Sequence, residues 1–284
     1  MGNIVLSADS TCDLGDELKQ RNNVHFFPYH IIFRGKDYLD NVTIFPERLY
    51  AGYYEDKSLP STSAINVQEY VSYFQPFVDA GQEVIHLNLG GALSASHENA
   101  KAAAKQLHGV HVIDSYNLST GIALQVIRAG KLIEQGLSAE EIVADIEAMR
   151  PRVHSSFILD TLDFMAAGGR CPQVLAYVAA PLKLKPQIMV NNADGSMSVG
   201  KIRRGKLEHV LKKYVTETLQ GYPDVICDDI FITHSGISQE CIDIAKQAVR
   251  DAVPVENLHI TQASCTISSH CGPNTLGVLF VTES

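Results

Sequence analysis

Glu83-Val84-Ile85-His86-Leu87-Asn88-Leu89-Gly90-Gly91-Ala92-Leu93-Ser94-Ala95-Ser96 is the stretch whose reading decides the fold. Residues 83–89 form a short, mostly apolar run bounded by turn residues, the pattern of a buried strand. The Gly-Gly pair ends that run, a helix follows over about 96–107, and a further strand is expected over 110–114. Strand, turn, helix and strand make a crossover unit, with parallel strands side by side and the helix packed over them.

The same alternation extends outward through the first half. An apolar run over 3–8 ends in Asp9-Ser10-Thr11-Cys12-Asp13, a turn and N-cap cluster before a helix at 14–21. A strand over 24–33 is interrupted by Pro28, Gly35 marks a turn, and Pro46 opens a helix to about Asp56. Helices are expected over 67–80, despite Pro76, and over 119–135 and 139–150. The last has Ser138 as N-cap and Glu141 at the capping-box position. After Pro151 the pattern changes. A strand over 153–160 and short helices at 162–167 and 174–180 surround Gly168-Gly169-Arg170. Strands at 187–191 and 197–203 flank Asp194-Gly195, a strong hairpin signal. A helix at 207–219, a strand at 229–234, a helix at 239–252 and strands at 257–262 and 276–282 complete the chain. The expected class is α/β in two domains. Residues 1–151 form a largely parallel sheet with flanking helices, and 152–284 a mixed α+β unit.

A chain of 284 residues is long for one core and comfortable for two. A net charge of −9 repels a nucleic-acid backbone, and the one dense basic run, Lys201-Ile202-Arg203-Arg204-Gly205-Lys206, is too short to override it. The first residues lack the basic and apolar regions of a signal peptide, and no apolar stretch reaches the ~18 residues of a membrane span. Six scattered cysteines without a C-x-x-C read as reduced thiols. A cytoplasmic protein with no stable membrane insertion is expected.

Two hydroxyl-rich turns carry the chemistry: Pro60-Ser61-Thr62-Ser63-Ala64, and the Gly90–Ser96 segment that ends the opening stretch. At a helix start, free backbone N–H groups and small hydroxyls converge, which suits gripping a small polar or anionic group. Other motifs fail on their neighbours. Gly195-Ser196-Met197-Ser198-Val199-Gly200-Lys201 has phosphate-loop spacing, but Ile202 stands where Ser or Thr should hold Mg²⁺. His97-Glu98 opens like a zinc-protease motif, but Lys101 replaces the second His. Cys265, His270 and Cys271 lack a fourth metal partner, and no G-x-S-x-G elbow occurs. Arg170 follows two glycines that allow a tight turn, so it can be presented to an anion or can satisfy helix-end carbonyls. Arg203 is expected at a strand end and His270 in a rigid turn before the last strand.

Taken together, the chain resembles the DegV family, whose members are fatty-acid-binding proteins, some of them acyl-carrying subunits of bacterial fatty-acid kinases. Five segments in order carry the resemblance: Asp9-Ser10-Thr11-Cys12-Asp13-Leu14, Thr62-Ser63, Leu93-Ser94-Ala95-Ser96, Gly168-Gly169-Arg170 and His270-Cys271-Gly272-Pro273. Departures fall at Ala64-Ile65, where Gln-Pro is usual, at Ala95-Ser96 for Gly-Thr, and at Asn274 for Gly. The resemblance implies that Thr62, Ser63, Ser94 and His270 bind a long-chain fatty-acid carboxylate in a tunnel between the domains. It places Arg170, Arg203 and Ser96 in support or facing a partner, an ATP-dependent fatty-acid kinase. No metal, cofactor or catalytic residue is implied, the lipid itself being the ligand. Two rival expectations stand beside it: an acyl hydrolase or transferase using His270 near Ser94, and a lipid-sensing regulatory protein.

Overall fold

The computed structural model describes residues 4–178 and 184–284. In chain order the first half comprises β1 (Ile4–Asp9), α1 (Asp16–Arg21), β2 (His25–Phe27), β3 (His30–Phe33), β4 (Lys36–Leu39), α2 (Pro46–Asp56), β5 (Ser61–Ser63) and α3 (Val67–Asp79). It continues with β6 (Glu83–Asn88), α4 (Ser96–Ala104), β7 (Val110–Asp114), α5 (Thr120–Glu134) and α6 (Ala139–Met149). The second half holds β8 (Val153–Ile158), α7 (Asp163–Gly168), α8 (Leu175–Val178), β9 (Leu184–Val190), β10 (Met197–Arg204), α9 (Leu207–Gln220) and β11 (Val225–Ser235). It ends with α10 (Gln239–Ala252), β12 (Asn257–Gln262), α11 (Cys265–Cys271) and β13 (Thr275–Thr282).

The opening stretch behaves as its pattern requires. β6 pairs in parallel with β1 and β7 in a four-stranded sheet of order β2-β1-β6-β7. α3 packs on α4, and α5 on α6, against this sheet. The Ser138–Glu141 capping box is formed in both directions. A second sheet, of order β10-β9-β8-β13-β11-β12, is antiparallel except for the β11–β12 pair. α5 packs against β1 of the first sheet and against β8, β11 and β13 of the second. Eleven of its fifteen residues are buried, as expected for a helix that is apolar nearly all round and covered on both sides. One core is continuous through both sheets, and a separate one lies under α9 and α10.

Three expectations change. The strand foreseen over 24–33 splits at Pro28 into β2 and β3, because proline cannot donate to a ladder. β3 then joins β4 and β5 in a small third sheet. The first hydroxyl segment is therefore an edge strand and not a helix-opening turn. His270 lies inside α11, a short helix the sequence pattern hid among Ser, Thr and Cys, and not in a turn. The helix foreseen over 174–180 falls partly outside the described residues, as does Asn3 of the first strand. The Asp194-Gly195 pair closes the β9–β10 hairpin, with Gly195 N–H bonded to the Asn191 carbonyl at 2.7 Å.

Candidate functional site

Between the two sheets lies a cavity of about 820 Å³, counted with the open space at its mouth. Leu89, Leu118, Phe157, Met197 and Leu279 give it apolar walls, while Thr62, Ser94, Arg170 and His270 converge at one end.

Ser94 is held by the turn that follows β6. Its Oγ accepts from Tyr29 O–H (3.1 Å) and from Ser96 N–H (3.2 Å), and donates to Ser96 Oγ at 3.1 Å. With two donors already on its oxygen, the serine has only its proton left to offer a ligand. Ser96, fully buried, also accepts from Ile65 N–H at 3.1 Å, so it ties the two hydroxyl segments together and does not face the cavity. Behind the turn, Asp9 accepts from Leu89 N–H (2.9 Å), Asn88 Nδ2 (3.1 Å) and Tyr70 O–H (2.9 Å), fixing the point where the chain leaves β6.

The register of β5 decides between its two hydroxyl residues. Side chains alternate across a strand. Thr62 turns inward, and its Oγ1 lies 2.8 Å from His270 Nε2. Ser63 is exposed, bonds only the adjacent Ala64 carbonyl at 3.5 Å, and is absent from the cavity wall. His270 is half-buried at the C-terminal end of α11, and loss of solvent around the ring together with nearby Arg170 pushes its pKa down to about 4. It is therefore neutral at physiological pH, and its Nδ1 is buried without a partner. The imidazole lies against Gly168: a Cβ added there would clash with Nδ1 and come within 3.1 Å of Cε1. Gly169 follows in the left-handed conformation (φ 70°) that ends α7. Arg170 then donates from Nε to the Leu93 carbonyl (3.3 Å) and from Nη1 to the Gly168 carbonyl (2.6 Å), strapping α7 to the Ser94 turn.

Arg203 corrects the expectation made for it. It is buried against α9, with Nη1 donating to Gln187 Oε1 (3.0 Å) and Nη2 to Glu217 Oε2 (2.9 Å), and does not line the cavity. The β9–β10 pairing carries it onto the α9 side, where Tyr214 and Glu217 receive it. Sequence reasoning missed Tyr29, whose only signal was its position after the strand-breaking Pro28, and the packing role of Gly168. Two departures from the DegV pattern prove compatible with this geometry. Ala95 has right-handed torsions (φ −70°, ψ −6°) that need no glycine. Asn274 adopts φ 59°, which asparagine tolerates better than most residues.

Fold and site together define a protein whose two sheets close over one apolar cavity with a polar mouth. The chain belongs to the DegV family, a family of uncharacterised proteins whose model matches residues 3–283. A DegV domain-containing protein of Clostridium perfringens is 27% identical over 286 residues, covering 100% of both chains. One of Deinococcus radiodurans is 32% identical over 222 residues, 75% of this chain and 78% of its own. Among solved structures, a DegV family protein from Thermus thermophilus described by its fatty-acid binding superposes with a TM-score of 0.87. It is 26% identical, over 98% of this chain and 99% of that one. A stearic-acid-binding protein from Eubacterium ventriosum gives a TM-score of 0.79 at 25% identity, over 100% of this chain and 99% of its own.

Proposed function

We propose that this protein binds one long-chain fatty acid, with its tail in the cavity and its carboxylate at the mouth, and presents that carboxylate to a separate ATP-dependent kinase. Residues 1–151 and 152–284 would form the two halves around the lipid, and the protein would serve lipid transport or fatty-acid metabolism. The observation that carries the reading is the convergence of Ser94, Thr62, His270 and Arg170 at one end of an otherwise apolar cavity. Family membership and the fatty-acid-binding relatives support it.

The physical account begins with the tail. Burying about fifteen methylenes contributes roughly 12 kcal/mol gross at ~0.8 each, much of it offset by lost freedom. Each hydrogen bond to the charged head adds only about 1.5–3 kcal/mol. The tail thus supplies affinity and the head group fixes depth. In the grip, His270 donates Nε2–H to Thr62 Oγ1, which frees the threonine proton for the carboxylate. Ser94 turns its own proton from Ser96 to the other oxygen. Because these donors are neutral, the carboxylate keeps its charge and nucleophilic character, as a phosphoryl acceptor must. Arg170, exposed at the rim, supplies the one cation among the described residues that line the cavity, and the exposed Leu175 and Val178 that follow it suit a partner's approach. A carrier fits better than a hydrolase. His270 Nε2 is bonded to Thr62, whereas the partners of Ser94 are Tyr29 and Ser96, so His270 and Ser94 do not form the nucleophile–base pair that the hydrolase reading needs.

Native mass spectrometry of the purified protein, with the released lipid identified after denaturation, tests this directly. One fatty acid per chain is expected, with a reduced load in Ser94→Ala. An undiminished load in that variant would remove Ser94 from the grip, and a protein that binds no fatty acid would overturn the reading.

A further inference from the structure

A second polar zone lines the cavity, and the carboxylate grip makes no use of it. Ser119, Thr266 and Thr275 all face the cavity, and each has its proton committed to the protein. Ser119 Oγ donates to Asp13 Oδ2 (2.6 Å), Thr266 Oγ1 to Asp40 Oδ2 (2.7 Å) and Thr275 Oγ1 to the Cys271 carbonyl (2.9 Å). A hydroxyl has one proton and two lone pairs, so these three present acceptors and no donor to whatever lies against them.

The setting reinforces this polarity. Asp13 and Asp40 are buried behind Ser119 and Thr266, where they also accept from the backbone N–H groups of Ser264 and Cys265, both at 2.8 Å. The wall is backed by acidic groups, the reverse of the rim that carries Arg170. A second carboxylate is disfavoured there, and a neutral O–H is welcome. Ser119 holds φ 51° and ψ −139°, torsions that a residue with a Cβ seldom adopts, and its side chain makes no cap to α5. A plain methylene chain would cover these oxygens without giving them a donor.

Depth follows from α11. Thr266 precedes His270 by four residues, one helical turn or about 6 Å, and Thr275 is bonded to the residue next to His270. The zone therefore meets the acyl chain within its first few carbons.

We infer that the cavity is built to accept a fatty acid hydroxylated near its carboxyl end, a 3-hydroxy acid, whose O–H donates to the wall formed by Ser119, Thr266 and Thr275. This rests on the fatty-acid reading above and names the lipid class within it. The test is competitive binding by the delipidated full chain of hexadecanoic, 3-hydroxyhexadecanoic, 16-hydroxyhexadecanoic and hexadecanedioic acids. One added neutral hydrogen bond predicts a preference of about two- to tenfold for the 3-hydroxy acid over hexadecanoic acid. No such gain is expected for the 16-hydroxy acid or the diacid. In a Thr266→Val, Thr275→Val double variant, and separately in Ser119→Ala, the ratio should fall toward one. Because the readout is a ratio within one protein, a variant that binds hexadecanoic acid at all gives a valid answer. If neither variant retains binding, the wild-type panel of four acids decides. Equal binding of the hydroxylated and plain acids by the wild type, or a preference that survives in variants that still bind, would overturn the inference while leaving the fatty-acid reading intact. Failure of hexadecanoic acid itself to bind would remove both.

Discussion

Gly168→Ala isolates the packing that holds the imidazole of His270 in place. The new methyl would meet Nδ1 at a clashing distance and stand 3.1 Å from Cε1 and 3.3 Å from Cγ, so the ring must shift. Two effects oppose each other. Alanine is favoured over glycine in a helix by about 0.8–1.0 kcal/mol, whereas overpacking a closed site costs about 1–3 kcal/mol. The net loss of stability is thus roughly 0–2 kcal/mol, too small to unfold the protein, and the lipid content becomes the sharper readout. A displaced ring changes the 2.8 Å contact with Thr62 and so disturbs one side of the proposed grip. Gly169→Ala is the control. That residue has φ 70° and nothing within 4 Å of an added Cβ, so it suffers left-handed strain of about 1–2 kcal/mol and leaves His270 alone. Urea unfolding and native mass spectrometry on both variants should show comparable destabilisation but lipid loss in Gly168→Ala only. A full lipid load in Gly168→Ala would refute the reasoning that His270 and Thr62 act together on the carboxylate.

Tyr29→Phe removes one of the two donors on Ser94 Oγ and should weaken fatty-acid binding about two- to tenfold, since one net hydrogen bond is lost; an unchanged dissociation constant would show that Tyr29 does not prepare Ser94. Burial raises the Asp13 carboxyl from 3.8 to about 7, so the folded state retains a proton that the unfolded chain has released, and this contribution to stability is present below pH ~4 and lost as pH rises to about 7. Asp13→Asn should therefore gain on wild type as pH rises, by on the order of 4 kcal/mol across that window, and parallel urea-unfolding profiles would contradict it.

What the sequence disclosed follows from the range of its signals. β6, the Gly-Gly turn and α4 could be read because strand, breaker and helix occur within one local window, and the same holds for the Pro46 helix and the Ser138–Glu141 box. β5 is invisible to periodicity because it has only three residues, and its pairing with β3 is what makes it a strand. That pairing also decides why Thr62 is in and Ser63 is out. α11 has no apolar stripe to announce it; contacts with α2, β3 and α7 and the buried carboxylates at its start hold it. The place of Arg203 escapes a local reading because its partners Gln187 and Glu217 lie sixteen and fourteen residues away on separate elements.

The position of α5 constrains how the cavity is filled. A helix buried against both sheets acts as a shared keel: swinging the sheets apart would strip its apolar surface on one side, at about 1.5–3 kcal/mol for each large side chain exposed. At the rim, Arg170 straps α7 to the Ser94 turn by two hydrogen bonds to backbone carbonyls. Under the proposed fatty-acid reading, a partner offering Arg170 a better anion than these two carbonyls would release the strap, so the keel would hold the container while the strap governs its mouth.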